Sequence, residues 1–364
     1  ARLTKIKERS ERLIVIPIAI VGAGGMGGRH LRALGALYES GMANVELVAV
    51  CDTRKENALH LADKAEEMLG NRPEVFTSME DMRKKRPDIE AVDITTDSGS
   101  HHMVAEMAFD LGYNVLCEKP LSLTIRGCNR VIDAWKRSGK ILSVAEQERR
   151  DPMCRLNKAV LDSGVIGDPY SMLLGSAGGG KEIIILPWRH YKNIGGIFVD
   201  AGVHTVDQMM YYLGDIEEVF AVSKIWEPKR YRGERIGVHD FYDHWKDEVP
   251  NEIDADAEDM VISTLKFKNG AVGQWTSFYA AHGQATQYGM IYGSKGSITP
   301  AKNRRGDELT VTIDGVGTIS GDEVLELVPD FHLDELPAKL FGSDRLRSYN
   351  RPTGDSDRFL VALE

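Results

Sequence analysis

Two residues with complementary chemistry, Asp200 and His204, lie four positions apart in the segment 195–204. On a continuous helix this spacing would place both side chains on one face. A neutral histidine can take a proton from an alcohol while an adjacent carboxylate orients its ring and stabilises the imidazolium. A buried pair that only specifies packing has the same spacing, so the pattern alone leaves both interpretations open.

A lysine follows another strand-like segment. The tripeptide Glu118-Lys119-Pro120 comes directly after the strand-like segment Asn114–Cys117 and contains Lys119. Parallel α/β sheets bind ligands at the carboxyl ends of their strands, and a lysine there can orient a hydroxyl group or relay its proton. A surface lysine in an ordinary turn is the alternative that the tripeptide leaves open.

A glycine-rich turn, residues 22–27, follows the apolar run Ile14–Val21 and fits the pattern G-x-G-x-x-G. The first glycine of this pattern allows a tight turn, the second lets the backbone approach a pyrophosphate, and the third packs strand against helix. The next strand candidate ends at Asp52, where a carboxylate can bind ribose hydroxyls and would repel a 2′-phosphate. These features favour NAD over NADP, although Arg54 could hold such a phosphate, and a purely structural turn also fits the motif.

The elements that must position these residues fall into two patterns. Buried apolar runs alternate with helical patterns over the first 150 residues, which predicts βαβ units and a doubly wound parallel sheet. Later segments alternate apolar and polar residues between turns such as Lys268-Asn269-Gly270, a strong hairpin signal. We therefore predict an α/β chain with an N-terminal arm at 1–14, a Rossmann dinucleotide-binding domain at 15–148, and an α+β substrate-binding and oligomerisation domain with a large, mostly antiparallel, open sheet at 149–364.

Together these motifs resemble the Gfo/Idh/MocA oxidoreductases, a family named for glucose–fructose oxidoreductase, inositol dehydrogenase and a rhizopine-catabolism protein. The resemblance covers roughly residues 15–300. Smaller matches occur at Thr96 with His101, at Arg150-Asp151-Pro152, at Trp188-Arg189 and at Gly293-x-x-Gly296-Ser297. One departure is Asp97, where the family often has proline, so we expect the loop beside the nicotinamide ribose to have a different shape.

The resemblance implies reversible oxidation of a secondary hydroxyl group of a sugar, glycoside or polyol with NAD, or alternatively NADP. We expect the 3-hydroxyl of a glycoside. In this reaction His204 would accept the hydroxyl proton, Asp200 would orient it and Lys119 would hold the oxygen, with the order of Lys119 and His204 left open. The alternatives are an inositol dehydrogenase, a glycosidase that uses bound NAD for transient oxidation, and a non-catalytic NAD-binding sensor.

The same resemblance, with the motifs above, gives a set of expected contacts. Cofactor contacts are expected at Gly22, Gly24, Gly25, Met26, Gly27, Asp52, Arg54, Thr95, Thr96, His101, Glu118, Lys119, Trp188 and Arg189. Substrate contacts are expected at Lys119, Gln147, Asp200, His204 and His282. Packing is the alternative role for Trp188 and Arg189.

The charge of the chain is concentrated in one segment. The formal net charge is −10, and residues 239–259 carry nine acids against one lysine. We interpret this segment as a rim for an uncharged polyhydroxylated substrate, with an inter-subunit loop as the alternative. Its histidines and acids match no common metal signature, so no metal is expected. An acidic chain without a long basic run also argues against nucleic acid or an anionic membrane as partner.

Cysteine usage and hydropathy bear on localisation. The four cysteines are scattered without a Cys-x-x-Cys pair, which indicates a reducing, cytoplasmic setting. The longest apolar run, Leu13–Val21, is far shorter than the ~20 residues that cross a bilayer, and it leads straight into the glycine turn. We therefore interpret it as a strand rather than a signal peptide, and expect a cytoplasmic homo-oligomer.

Overall fold

The computed structural model describes residues 15–233, 246–301, 306–349 and 353–364, the last range without the side chains of 353–357. These residues form two compact units. The first ends at Ala145 and also includes Arg358–Glu364, whereas the second runs from Glu146 to Asp357. The division lies close to the predicted boundary at 148, but the segment 358–364 groups with the first unit. The predicted arm at 1–14 lies outside the described residues.

The first unit is a parallel sheet covered by helices. Its strands are β1 (Ile16–Val21), β2 (Val45–Cys51), β3 (Glu74–Phe76), β4 (Ala91–Ile94), β5 (Asn114–Glu118) and β6 (Leu142–Ala145). The helices between them are α1 (Gly25–Ser40), α2 (Lys55–Leu69), α3 (Met79–Lys85), α4 (His101–Asp110) and α5 (Ile125–Ser138). The strand order is β3-β2-β1-β4-β5-β6, all parallel, which is the Rossmann order. The predicted doubly wound parallel sheet is confirmed.

Two apolar clusters explain why this sheet is doubly wound. One cluster joins β1 and β2 to α1 and α2 through residues such as Leu31 and Leu61. The other joins the sheet to α3, α4 and α5 through residues such as Met82, Phe109 and Val131. Because each face of the sheet is buried against helices, its central strands are mostly apolar rather than alternating, with Asp93 of β4 as an exception.

The second unit is built on a large mixed sheet. Its strands are β7 (Pro169–Gly179), β8 (Ile216–Lys224), β9 (Lys229–Tyr231), β10 (Glu252–Asp254), β11 (Met260–Phe267), β12 (Val272–Ala281), β13 (Thr286–Gly293), β14 (Gly296–Thr299), β15 (Thr310–Ile313) and β16 (Gly317–Ile319). Eight of them form a sheet in the order β16-β15-β14-β13-β7-β12-β11-β8, in which only the β7–β12 pair is parallel. The α+β prediction with a mostly antiparallel sheet is confirmed, including the hairpin at Asn269-Gly270 between β11 and β12.

The second unit also contains helices. They are α6 (Pro152–Asp162), α7 (Gly196–Asp200), α8 (Gly202–Leu213), α9 (Glu323–Glu326), α10 (Glu335–Phe341) and α11 (Thr353–Ala362), the last ending in the first unit. Short 3₁₀ helices form at Gln147–Arg150, Pro187–His190 and Lys192–Ile194. Apolar side chains on the edge strand β8 are exposed to solvent, and Phe220 is 73% exposed. Among the described residues, no helix combines the length and apolar character that a membrane span requires.

Candidate functional site

The glycine turn between β1 and α1 forms a cradle at the N terminus of α1. Gly22 has φ +103°, and a Cβ there would lie 2.6 Å from the Thr96 backbone nitrogen, so only glycine fits. At Gly24 a Cβ would meet no protein atom within 4 Å, and no side chain caps the helix. An uncapped helix N terminus beside a glycine turn is the arrangement that binds a dinucleotide pyrophosphate. These residues fit NAD.

The carboxylate expected to hold the ribose lies at this turn. Asp52 Oδ2 accepts the Ala23 N–H at 2.7 Å, and Oδ1 accepts the Arg54 N–H at 2.8 Å. The two main-chain donors fix the carboxylate beside the glycine turn at the end of β2. A fixed carboxylate here suits the ribose hydroxyls of NAD and opposes a 2′-phosphate.

His101 joins the two loops that follow β4 and β5. Its side chain is 1% exposed, with Nδ1 2.7 Å from the Pro120 carbonyl oxygen and Nε2 3.1 Å from the Thr96 carbonyl oxygen. The Thr95 hydroxyl donates to the Gly22 carbonyl at 2.6 Å and so fastens the same region to the glycine turn. His101 thus holds the loops of Thr96 and Lys119 together, and its predicted contact with the cofactor stays a prediction.

Glu118, the last residue of β5, is buried and bonded on both oxygens. Its Oε2 accepts the Lys119 N–H at 2.9 Å, and its Oε1 lies 3.1 Å from His30 Nε2. The Lys119–Pro120 peptide bond is cis. Lys119 therefore starts the loop at the carboxyl edge of the sheet, as its place after β5 predicts, and His30 is a neighbour that the motifs did not single out.

In the second unit, the segment with Asp200 and His204 is not one continuous helix. Helix α7 ends at Asp200, and α8 begins at Gly202. A Cβ at Gly202 would lie 2.5 Å from the ring of Trp275 on β12, so glycine is needed for α8 to lie this close to the sheet. The condition under which Asp200 and His204 would share one helical face is therefore not met.

His204 contacts a carboxylate that the sequence motifs did not indicate. Its Nδ1 lies 2.8 Å from both Oε1 and Oε2 of Glu146, the first residue after β6. Both side chains are largely buried, 11% and 12% exposed. A carboxylate that accepts the Nδ1 hydrogen fixes the tautomer of the imidazole and leaves its basic lone pair on Nε2. The pair has the form of a histidine base with an orienting acid.

Asp200 is bonded to an arginine. Arg189 Nε donates to Asp200 Oδ2 at 2.8 Å, and both side chains are about nine-tenths buried. The Arg189 guanidinium also lies 4.2 Å from the centre of the Trp188 ring. This ion pair connects the helix at Pro187–His190 to the end of α7, so the structure brings Asp200, Arg189 and Trp188 together. Cofactor contacts by Arg189 and Trp188 stay predictions.

The remaining predicted substrate residues differ in their surroundings. Gln147 is 1% exposed in the 3₁₀ helix after Glu146. His282 is an exposed side chain whose Nε2 lies 2.8 Å from Glu227 Oε1. Substrate binding by Gln147 and by His282 stays a prediction.

The acidic segment 239–259 is only partly described, because residues 234–245 lie outside the described part. Within the remainder, Asp259 is buried and accepts from Arg230 Nη2 at 2.8 Å. It also accepts the Trp226 and Glu227 main-chain N–H groups, both at 2.9 Å. Asp259 therefore serves the interior of the unit, whereas a rim role for the other acids stays a prediction.

A Rossmann unit with an open glycine cradle, in a chain that also holds a buried histidine–carboxylate pair, defines a class of dinucleotide-binding enzymes. The profile of the oxidoreductase family with an NAD-binding Rossmann fold, GFO_IDH_MocA, matches residues 16–146. The profile of the GFO/IDH/MocA C-terminal domain matches residues 155–299. The chain belongs to this oxidoreductase family, whose first domain is an NAD-binding Rossmann fold.

Several relatives within this family carry named activities. Levoglucosan dehydrogenase of Pseudarthrobacter phenanthrenivorans is 32% identical over 233 residues, which cover 62% of this chain and 58% of that protein. D-glucoside 3-dehydrogenase of Escherichia coli is 26% identical over 259 residues, covering 70% and 68% of the two chains. A solved structure of levoglucosan dehydrogenase with NADH and L-sorbose has a TM-score of 0.68 and 27% identity, covering 84% of this chain and 79% of that one.

Proposed function

We propose that this protein oxidises a secondary hydroxyl group of a sugar, glycoside or polyol to a ketone with NAD, and that its preferred position is the 3-hydroxyl of a glycoside. The observation that carries the proposal is the buried contact between His204 and Glu146, in a chain whose first unit belongs to an NAD-binding Rossmann family. The names of a levoglucosan dehydrogenase and a D-glucoside 3-dehydrogenase support the substrate class.

His204 acts as the base in this proposal. With its Nδ1 hydrogen donated to Glu146, the imidazole takes the hydroxyl proton on Nε2, and the carboxylate stabilises the imidazolium that forms. NAD, held at the glycine turn before α1, would supply the acceptor for the carbon-bound hydrogen and its electron pair.

Lys119 binds the substrate oxygen. Its ammonium group stabilises the negative charge that grows on the oxygen as the proton leaves. Asp200, held by Arg189, fixes the end of α7 just before His204. Lys119 as the proximal base, with His204 as the relay, is the reverse assignment of the same two residues.

The test measures NADH formation with a panel of methyl glycosides, free hexoses and inositols, with NAD and NADP in parallel. We expect NADH with a methyl glucoside and with its 2-deoxy and 4-deoxy analogues, and none with the 3-deoxy analogue. Turnover of the 3-deoxy analogue at the rate of the parent compound would refute the 3-hydroxyl assignment.

Variants then assign the residues. We expect Lys119→Ala and His204→Ala to lose about 10²- to 10⁴-fold in kcat at saturating NAD. His332→Gln, which changes an exposed histidine paired with Asp344, serves as the control. Near-normal turnover of Lys119→Ala would remove Lys119 from the mechanism.

The panel also separates the competing functions. Oxidation of inositols in preference to glycosides would indicate an inositol dehydrogenase, which the family name includes. Release of an aglycone without net NADH would indicate a glycosidase that oxidises its substrate transiently. Binding of NAD without turnover of any compound would indicate a sensor.

We infer further that the protein is a cytoplasmic homo-oligomer. Its four cysteines are free thiols, three of them buried, as suits a reducing compartment. The apolar side chains on β8, with Phe220 73% and Val219 61% exposed, support assembly through this side of the sheet. Sedimentation of the wild type and of a Phe220→Lys variant tests the assembly, and a monomeric wild type would refute it.

A further inference from the structure

A buried histidine of α1 lies between two carboxylates. His30 is 2% exposed, with Nδ1 2.7 Å from Asp93 Oδ2 and Nε2 3.1 Å from Glu118 Oε1. A neutral imidazole has one N–H, and an ionised carboxylate only accepts, so both contacts are hydrogen bonds only when His30 is an imidazolium. Burial alone would lower the pKa of His30, but the charge of Asp93 and the hydrogen bonds to Asp93 and Glu118 raise it to about 10. His30 is therefore charged at neutral pH and donates to both acids.

The second of these acids reaches the lysine of the proposed site. Glu118 uses one oxygen for His30 and the other for the main-chain N–H of Lys119. Burial alone would raise the pKa of Glu118, but the hydrogen bond and charge of His30, with the charges of Lys119 and Arg29, lower it to about 2. The ionised carboxylate thus joins the imidazolium to the start of the Lys119 loop.

The helix that carries His30 also forms the dinucleotide cradle. Helix α1 begins at Gly25, and His30 lies little more than one turn later. A single helix therefore forms part of the cradle at its N terminus and contacts Glu118 through a side chain. The connection spans α1, β4 through Asp93, and β5 through Glu118.

We propose that His30 is a positioning residue for Lys119, and that it acts by holding the Glu118 carboxylate in the orientation that binds the Lys119 main chain. The inference rests on the proposed role of Lys119 in binding the substrate oxygen. An ion pair that only stabilises the unit would use both nitrogens of His30 alike, whereas positioning depends on Nε2, the nitrogen that faces Glu118.

Two substitutions separate the nitrogens. The amide nitrogen of asparagine takes the place of Nδ1, and that of glutamine takes the place of Nε2. His30→Asn therefore keeps a donor for Asp93 and loses the one for Glu118, whereas His30→Gln does the reverse. Both variants lose the positive charge, so they are matched in their effect on the buried charges.

The kinetic test compares these variants on the glycoside that the wild type oxidises. We expect His30→Asn to lower kcat roughly 10- to 100-fold, because a misplacement near 1 Å at a reacting group costs up to about 100-fold. We expect His30→Gln to keep a kcat at least about ten times that of His30→Asn. KM for the glycoside and Kd for NADH should stay near the wild-type values in both, and His60→Gln, in α2 of the same unit, is the control.

A double-mutant cycle tests whether His30 acts through Glu118. In a Glu118→Ala background, His30→Asn should cause no further loss of kcat, because the carboxylate that it would release is already absent. If His30→Asn does not fold, Glu118→Gln and Glu118→Ala provide the same test. The glutamine amide can accept from Lys119 and donate to a neutral His30, so Glu118→Gln should keep a kcat at least about ten times that of Glu118→Ala.

Equal kcat values for His30→Asn and His30→Gln would overturn the proposal, as would losses of kcat that weaker NADH binding accounts for. A full effect of His30→Asn in the Glu118→Ala background would also overturn it. Lys119→Ala distinguishes this failure from failure of the proposed function. If Lys119→Ala is inactive while the two His30 variants are equal, only the positioning role is wrong, and if Lys119→Ala is fully active, the role of Lys119 itself is wrong.

Discussion

Replacing Glu146 by glutamine removes the charge that faces His204 while leaving the shape of the side chain nearly unchanged. Both carboxylate oxygens lie 2.8 Å from His204 Nδ1, and the two side chains are 11% and 12% exposed. An imidazolium formed at His204 is therefore stabilised by a short hydrogen bond to a charged acceptor with little solvent to replace it. The substitution should act on the step in which His204 takes the proton.

The size of the effect follows from these contacts. A hydrogen bond to a charged group contributes about 1.5–3 kcal/mol, and each ~1.4 kcal/mol in the barrier is tenfold in rate. Complete loss of the interaction would thus lower kcat about 10- to 100-fold. The amide oxygen of Glu146→Gln still accepts the Nδ1 hydrogen, so we expect the lower end of the range, about tenfold, and a larger loss for Glu146→Ala.

Steady-state rates of NADH formation, with NADH affinity measured by fluorescence, provide the assay. The control is Asp207→Asn. Arg149 and Asp207 connect the 3₁₀ helix that follows Glu146 to α8, the helix that carries His204, through contacts of 2.5 and 2.6 Å. We expect Asp207→Asn to keep the wild-type kcat. A loss below about threefold in Glu146→Ala, or an equal loss in Asp207→Asn, would refute the assignment of Glu146 as the acid that supports His204.

Three further predictions concern stability, the cofactor cradle and metals. The pKa of His30 is raised from 6.5 to about 10, and the pKa of Glu118 is lowered from 4.5 to about 2. The stabilisation from these two groups is therefore complete between about pH 5 and 6; the His30 part is lost as the pH rises through 10, and the Glu118 part is lost as the pH falls through 2. The free energies of urea unfolding of wild type and His30→Asn should converge toward both extremes of pH. Gly24→Ala should weaken NADH binding tenfold or more, with little change in Tm, whereas Gly28→Ala, which also meets no protein atom, should leave NADH binding unchanged, and equal affinities would exclude Gly24 from the cradle. Dialysis against EDTA should leave kcat unchanged, because the carboxylate nearest His204 is engaged in the imidazole hydrogen bond, and a loss restored by added Mg²⁺ or Zn²⁺ would contradict this.

Local sequence signals were sufficient for the fold of the first unit. Its parallel, doubly wound sheet follows from apolar runs that alternate with helical patterns, and helices cover both faces of the sheet. The hairpin at Asn269-Gly270 could also be predicted from the sequence, because the preference for a turn is local and β11 alternates buried and exposed residues. In both cases the residues that determine the structure are near one another in the chain.

The geometry around His204 could not be read in this way. Helix α8 begins at Gly202, which lies against Trp275 of β12, and the Trp275 ring leaves no room for a Cβ there. The partner of His204 Nδ1 is Glu146, far away in the chain, whereas the nearby Asp200 accepts from Arg189. A spacing of four residues indicated a histidine and an acid that could perform acid–base chemistry. Tertiary packing determined which acid contacts the imidazole.

Glu118 and Glu146, whose histidine partners the motifs did not predict, lie where the chain leaves a parallel strand. Glu118 ends β5 and was expected only to touch the cofactor, whereas Glu146 follows β6 and was not singled out. At the carboxyl end of such a strand the chain turns toward the ligand edge, so a carboxylate there can bind a catalytic group as well as a ligand. Each acid is bonded to a buried histidine, His30 or His204, because a buried carboxylate is stable only with donors to share its charge. An acid directly after a predicted parallel strand therefore justifies a search for a distant histidine, a rule that would have found both pairs.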